Sequence, residues 1–275
     1  MYRAKIEFSY FEELGNNDRD TALSIPNGAC FTFWDCRLKY VNNSEFNHYF
    51  EIFANKEEYI TECLSILSFF TYIPLLPLSS SEMIIEDMCE GEKIPVEKQS
   101  DKMNDWLERL TLIEMGLKEK IHDEKRKKII NWMETYSYGI KHHYQENRKE
   151  EFLNLFIPVE KISATVLQEC ETEEKEPANT NREKIILAWK RLKSYYLGGY
   201  QFENEKIKKS FSEINDKKIG NLVKIRNKIA HDGYRVTEED IRTIQFLSSQ
   251  FISIYALKKP YNEYYLRSRV LGEKF

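Results

Sequence analysis

The chain has 275 residues, a formal net charge of -4, 41% apolar residues and 13% aromatic residues. That composition builds a packed core and excludes a disordered chain, and Gly 10 with Pro 7 excludes collagen-like or low-complexity sequence. The slight acidity gives no chain-wide mark of a polyanion binder, so a basic site must be local.

The most apolar stretch, residues 66–78, holds Pro74 and Pro77 and falls short of the roughly 18 residues a membrane span needs. The opening MYRAKIEFSY has Glu7 in its midst and predicts no signal peptide. Cys30, Cys36, Cys63, Cys89 and Cys170 are few and odd in number, which predicts free thiols and a cytoplasmic protein. None has zinc-ligand spacing, so no metal and no cofactor is expected.

In chain order, Tyr2, Ala4, Ile6, Phe8 and Tyr10 alternate with polar residues, which is the period of a strand with one buried face. Residues 11–28 contain the loop GNNDRD. Residues 29–41, ACFTFWDCRLKYV, read as a second strand, and residues 47–54 as a third. Asn55 with Glu58 predicts a capped helix with the stripe Tyr59, Ile60, Cys63, Leu64, Leu67 and Phe70, stopped by Pro74 and Pro77. Residues 79–100 read as a polar linker, with a short strand near Met83 to Ile85.

From there helical period dominates. Stripes run Trp106 to Leu117, Ile129 to Ile140, and Phe152 to Val166, the last interrupted by Pro158, which predicts a kink. Residues 170–182 read as an acidic loop. A fourth helix begins at Ile185, carries Trp189, Leu192 and Tyr196, and ends at Gly198-Gly199. Residues 203–232 carry one or two more, and Thr237 caps a last helix with Glu238, Glu239 and Asp240 in its first turn. The fold class expected is α+β. Residues 1–95 form a small antiparallel sheet with a helix, a sensor or regulatory domain, and residues 101–275 form an all-α bundle.

Charge is segregated. Residues 182–231 hold thirteen Lys or Arg against five Asp or Glu, in a chain that is acidic overall. Such a surface suits a polyanion, and Tyr195, Tyr196, Tyr200, Phe202 and Phe211 among the cations could stack bases. The ordinary alternative is lysines on wet helix faces and aromatics in the core.

Residues 221–234 read NLVKIRNKIAHDGY, a helix that Gly233 is placed to end. Asn227 and His231, four apart, share a face. Arg226 and His231, five apart, lie about 140° round the axis. Three ways remain to join them: a long reach by Arg226, unwinding near His231, or a second copy of the helix. The set suits RNA cleavage. Histidine moves a proton near neutral pH, arginine offers a fork of donors to a phosphate, and asparagine can hold either. The competing reading is a histidine at a helix C-terminus and a surface arginine in an ion pair. The adjacent pair His142 and His143 points about 100° apart, unsuited to one metal, and reads as a surface or RNA contact.

The run RNKIAHDG, residues 226–233, resembles the R-N-x-x-x-H signature of the HEPN superfamily. Residues 150–162, EEFLNLFIPVEKI, resemble the helix of Apea-like HEPN proteins that carries an acidic residue in an apolar setting, here Glu160. The likeness spans about residues 120–258. It implies a helical bundle, commonly a homodimer, and in many members a metal-independent endoribonuclease of toxin, abortive-infection or CRISPR systems. Carried over by position, Arg226 and His231 are catalytic, Asn227 assists, and Glu160 orients Arg226 or supports the cleft. Tyr234 stands one position later than the tyrosine that some HEPN toxins present for modification.

The reading reached is a metal-independent endoribonuclease. It acts on RNA, with tRNA a candidate, as a toxin or abortive-infection effector in prokaryotic antiviral defence. Lys217, Lys218, Lys224 and Lys228 are the expected RNA contacts. An inhibitory or activating partner is expected, and no membrane. The alternative is a non-catalytic HEPN module that binds a nucleotide or protein within a larger defence assembly.

Overall fold

The structure is a computed structural model that describes residues 1–8, 27–44, 47–76, 85–88, 93–96, 104–119, 121–170, 178–202, 205–232 and 234–263. It is α+β, and the chain divides into two compact units, Met1–Ser137 and Tyr138–Glu263. The division falls inside a helix, well past the boundary that composition suggests.

The first unit holds a five-stranded antiparallel sheet in the order β2-β3-β4-β1-β5. Its strands are β1 (Tyr2–Phe8), β2 (Cys30–Phe33), β3 (Cys36–Ser44), β4 (Asn47–Ala54) and β5 (Ile85–Asp87). Residues 29–41 are therefore two strands, not one. Trp34 and Asp35 reverse the chain at φ 54° and 55°, the pair of left-handed residues that a two-residue hairpin turn requires. The sequence gives no hint of it, because Asn and Gly are the usual residues there. Tertiary contacts hold the turn instead. Trp34 is 2% exposed, its indole Nε1 donates to Glu62 Oε2 at 2.7 Å, and its backbone N–H donates to Glu114 Oε1 at 3.2 Å. Lys118 pairs with Asp35 at 2.6 Å and sits 5.1 Å from the centre of an indole ring of Trp34.

Helix α1 (Glu57–Thr71) starts one residue after the position expected, and Lys56, not Asn55, stands at its N-cap with no side-chain cap bond. Lysine has no acceptor to offer there. Burial rather than capping holds α1: every residue from Cys63 to Thr71 is buried, so this part of the helix is covered all round and not along one stripe. The helix ends at a left-handed Tyr72, two residues before Pro74. Part of the expected linker packs on the sheet, where Arg37 Nη1 donates to Pro95 O at 3.0 Å. Helices α2 (Asn104–Lys118) and α3 (Asp123–Tyr144) follow. Ser137 Oγ, 3.4 Å from Ser65 O, and the Phe69 ring, 5.0 Å from Tyr136, fasten α3 to α1.

The second unit is helical among its described residues. It contains α4 (Arg148–Glu169), α5 (Asn181–Arg191), α6 (Glu205–Glu213), α7 (Asp216–Asp232) and α8 (Glu238–Leu257). Helix α4 runs unbroken through Pro158. Helix α5 passes into a π turn, Leu192–Tyr196, in which Leu197 N–H reaches Leu192 O at 3.1 Å. Thr180 and Glu183 form a capping box on α5, and Thr237 and Asp240 form one on α8. At the core Trp189 lies between Phe211 and Phe251, with ring centroids 5.6 and 5.5 Å away and planes within 20° and 12°. Its Nε1 donates to Ile214 O at 3.2 Å and so fixes the approach to α7.

Among the described residues no helix is long and apolar enough to cross a membrane, and Cys30, Cys36, Cys63 and Cys170 are free thiols. The loop GNNDRD and Cys89 lie outside the described residues. Trp34→Ala is expected to cost about 3–5 kcal/mol in urea unfolding, because it empties a fully buried site and strips the turn of its anchor.

Candidate active site on helix α7

Helix α7 starts on Asn215, whose Oδ1 accepts from the backbone of Lys217 and Lys218 at 3.1 and 3.0 Å. Ile219, Leu222, Val223 and Ile225 are buried and set its inner side. The helix continues through His231 to Asp232 without unwinding, so a break near His231 does not bring it to Arg226. Positions 226 and 231 therefore keep the angular gap of about 140° that their spacing dictates. The side chain of His231, and Gly233, lie outside the described residues.

Arg226 is half-buried and faces α4. Its Nε lies 3.5 Å from Glu160 Oε1, and the same oxygen accepts from Asn181 Nδ2 at 2.6 Å. Glu160 thus ties the first residue of α5 and the middle of α7 to α4. At 23% exposure its charge is partly shielded from water, which strengthens its hold on the guanidinium. Two residues singled out by sequence, Glu160 and Arg226, are in this way brought together.

Asn227 is exposed and lines a groove of about 710 Å³ between α5 and α7. Thr180, Asn181, Arg182, Glu183, Lys190 and Asp216 supply its polar wall, and Ile186, Leu187 and Val223 its apolar floor. Its two carboxylates are engaged. Glu183 accepts from the backbone N–H of Asn179 and Thr180 at 2.9 and 3.0 Å, and these bonds hold its carboxyl below the usual range. Asp216 pairs with Lys190 at 3.3 Å.

Lys217, Lys224 and Lys228 are exposed and recur at helical spacing on one side of α7, the side that also carries position 231. Lys218 is turned about 100° away and pairs with Glu213 at 3.6 Å. Lys228 Nζ sits 5.4 Å from the Tyr234 ring centre. Tyr234 donates through its hydroxyl to Asp240 Oδ2 at 3.4 Å, and the Asp240 charge pushes its phenol up.

Of the aromatics in the basic segment, most serve the core. Phe211 stacks on Trp189, Phe202 meets Phe211 at 4.8 Å, and Tyr196 donates to Glu169 Oε2 at 2.8 Å. Tyr195, 64% exposed, is the one that presents a free face for stacking.

The sequence reading missed the N-terminus of α5 as part of the site. It placed residues 170–182 in an acidic loop, although Thr180 followed three residues later by Glu183 is a capping-box pattern. It also missed the partner of His143. Glu151 is fully buried, and its Oε1 meets His143 Nδ1 at 3.0 Å, while its buried Oε2 finds no partner among the described residues. Among the described residues no group of three or more His, Cys, Asp or Glu could hold a metal ion. Comparisons with family models, with curated proteins and with solved structures found no match to this chain.

The hydrogen bond to Glu151 pushes His143 up from the ordinary histidine value, and burial pushes the Glu151 carboxyl up. A raised histidine contributes its full stabilisation below about pH 6.5 and loses it as pH rises through the folded value. A raised carboxyl has the same sign, at lower pH. Arg148 and Glu238, which pair at 3.4 Å, face this site with opposite effects. The melting temperature is therefore expected to fall as pH rises past about 6.5, and to be flatter with pH in His143→Gln. Truncation by His143→Ala is expected to cost about 2 kcal/mol at pH 6, by leaving Glu151 without its partner.

Proposed function

We propose that this chain is a HEPN-type endoribonuclease that cleaves RNA, with tRNA a candidate substrate, without a metal ion. It acts in the cytoplasm as a homodimeric toxin or abortive-infection effector in prokaryotic antiviral defence, restrained or released by a partner. The observation that carries this reading is the run Arg226-Asn227 and His231 on one uninterrupted helix, with Arg226 held by Glu160 and Asn227 opening on a groove.

In this reading the ribose 2′-OH is the nucleophile. His231 takes its proton, the oxygen attacks the adjacent phosphorus, and the 5′-oxygen leaves with a proton returned to it. The products are a 2′,3′-cyclic phosphate and a 5′-hydroxyl. The Arg226 fork meets the charge that develops on the non-bridging oxygens, and Glu160 positions that fork. Because positions 226 and 231 sit far apart round one helix, a second copy of α7 supplies the complementary half. The exposed lysines Lys217, Lys224 and Lys228 would steer the phosphate backbone along α7 toward position 231.

The second reading is the non-catalytic binding module, and one observation favours it: Arg226 already has a carboxylate partner, as a purely structural arginine would. Purified protein incubated with labelled total RNA in EDTA separates the two. The ribonuclease is expected to leave 2′,3′-cyclic ends. His231→Ala and Arg226→Ala are each expected to reduce the rate by about 100-fold or more, with the melting temperature held to within a few degrees. Cleavage that survives His231→Ala would remove the proposed mechanism. Absence of cleavage in vitro together with absence of toxicity on expression would transfer the assignment to the binding module.

A further inference from the structure

We propose that Arg182 is a phosphate-binding residue of the groove between α5 and α7, seated there by Gly220, and that the groove takes the RNA strand beside Asn227. The inference rests on the ribonuclease reading for the identity of the ligand. Its evidence on Arg182 and Gly220 stands apart from the HEPN-like run, with which it shares Asn227 alone.

Arg182 is the second residue of α5. A cation in the first turn of a helix opposes the helix dipole, so local stability does not explain it. Nor does an ion pair. Among the described residues Arg182 makes no hydrogen bond and no salt bridge, whereas Arg226 is paired with Glu160 and Lys190 with Asp216. Its fork of donors is open to a ligand.

Gly220 supplies the seat. It lies inside α7 with no left-handed φ, so the backbone does not require glycine, and glycine weakens a helix interior. What a side chain there would displace is Arg182. A Cβ at position 220 would stand 2.7 Å from Arg182 Nε, 3.1 Å from Cζ and 3.4 Å from Cδ. Any other residue would push the guanidinium off α7.

Gly220 and Asn227 are seven residues apart and share a side of α7, and Arg182 and Asn227 both line the groove. The groove's carboxylates, Glu183 and Asp216, are held by backbone N–H groups and by Lys190, so neither neutralises Arg182 through an ion pair. An unpaired guanidinium and an exposed amide across a groove of about 710 Å³ suit a phosphodiester strand, which arginine can grip through two donors.

The test measures fluorescence anisotropy of a labelled single-stranded oligoribonucleotide on the full chain carrying His231→Ala, over a range of salt. Adding Arg182→Ala is expected to weaken binding about ten-fold and to flatten the log–log salt slope by about 0.7, the share of one phosphate on a single strand. Adding Gly220→Ala is expected to weaken binding in the same direction without lowering the melting temperature, since alanine favours the helix. Arg182→Lys is expected to keep the salt slope and recover only part of the affinity. Binding by Arg182→Ala and Gly220→Ala equal to the parent's would overturn the role of Arg182. If His231→Ala abolishes cleavage in the same preparations, the ribonuclease reading survives that result. A parent chain that does not bind RNA overturns both. Loss of binding in the two groove variants, with cleavage untouched by His231→Ala, supports Arg182 and removes the proposed catalytic histidine.

Discussion

One carboxylate oxygen organises the second unit. Glu160 Oε1 meets Asn181 from α5 and Arg226 from α7, so three helices share a single acceptor beside the apolar packing of the bundle. Apolar contacts are non-directional and tolerate sliding and rotation. A hydrogen bond of 2.6 Å does not, and the Arg226 Nε contact at 3.5 Å adds a charged link to α7. The rotation of α7 about its axis, and with it the placing of Asn227 on the groove, is set here. Trp189 acts on the other end of the same assembly by holding the carbonyl of Ile214 just before α7 begins.

The first unit uses the same device on a turn. Trp34 and Asp35 adopt a backbone that their side chains disfavour, and the cost is met by two carboxylates, one lysine and burial of the indole. In both units a long-range polar contact fixes a geometry that local sequence would leave open. The difference lies in exposure. The Trp34 indole is shut away, whereas the Glu160 clasp borders a groove that solvent and a ligand can enter.

Much of this was legible from residue patterns. Strands β1 and β4, the helical stripes from α2 to α8 and the Thr237 cap follow from period and capping chemistry, because these are local. The hairpin at Trp34 was not legible, since its cause is contact with Glu62 and Glu114 far along the chain. The burial of α1 from Cys63 onward goes beyond its apolar stripe because its serines are satisfied inside: Ser65 bonds Thr61 O within the helix and Ser68 accepts from Leu75 N–H. In the site, the spacing of Arg226, Asn227 and His231 gave their relative angles round α7. It could not give what stands opposite them, because Asn181 and Arg182 arrive from another helix.

The π turn at residues 192–196 sets the phase of the residues that follow it. Its ring closes over five residues where an α-helix closes over four, so the helix carries one residue more than its length needs. That extra residue turns every later position by about 100°. Tyr196 then reaches one oxygen of Glu169 while Tyr255 takes the other at 2.7 Å, and Lys258 lies 3.6 Å from the Tyr196 ring centre. A relative lacking one residue in this stretch would keep the helix whole and yet lose the tyrosine from that carboxylate. The length of the chain between 192 and 196 therefore sets the wiring of Glu169 rather than the fold.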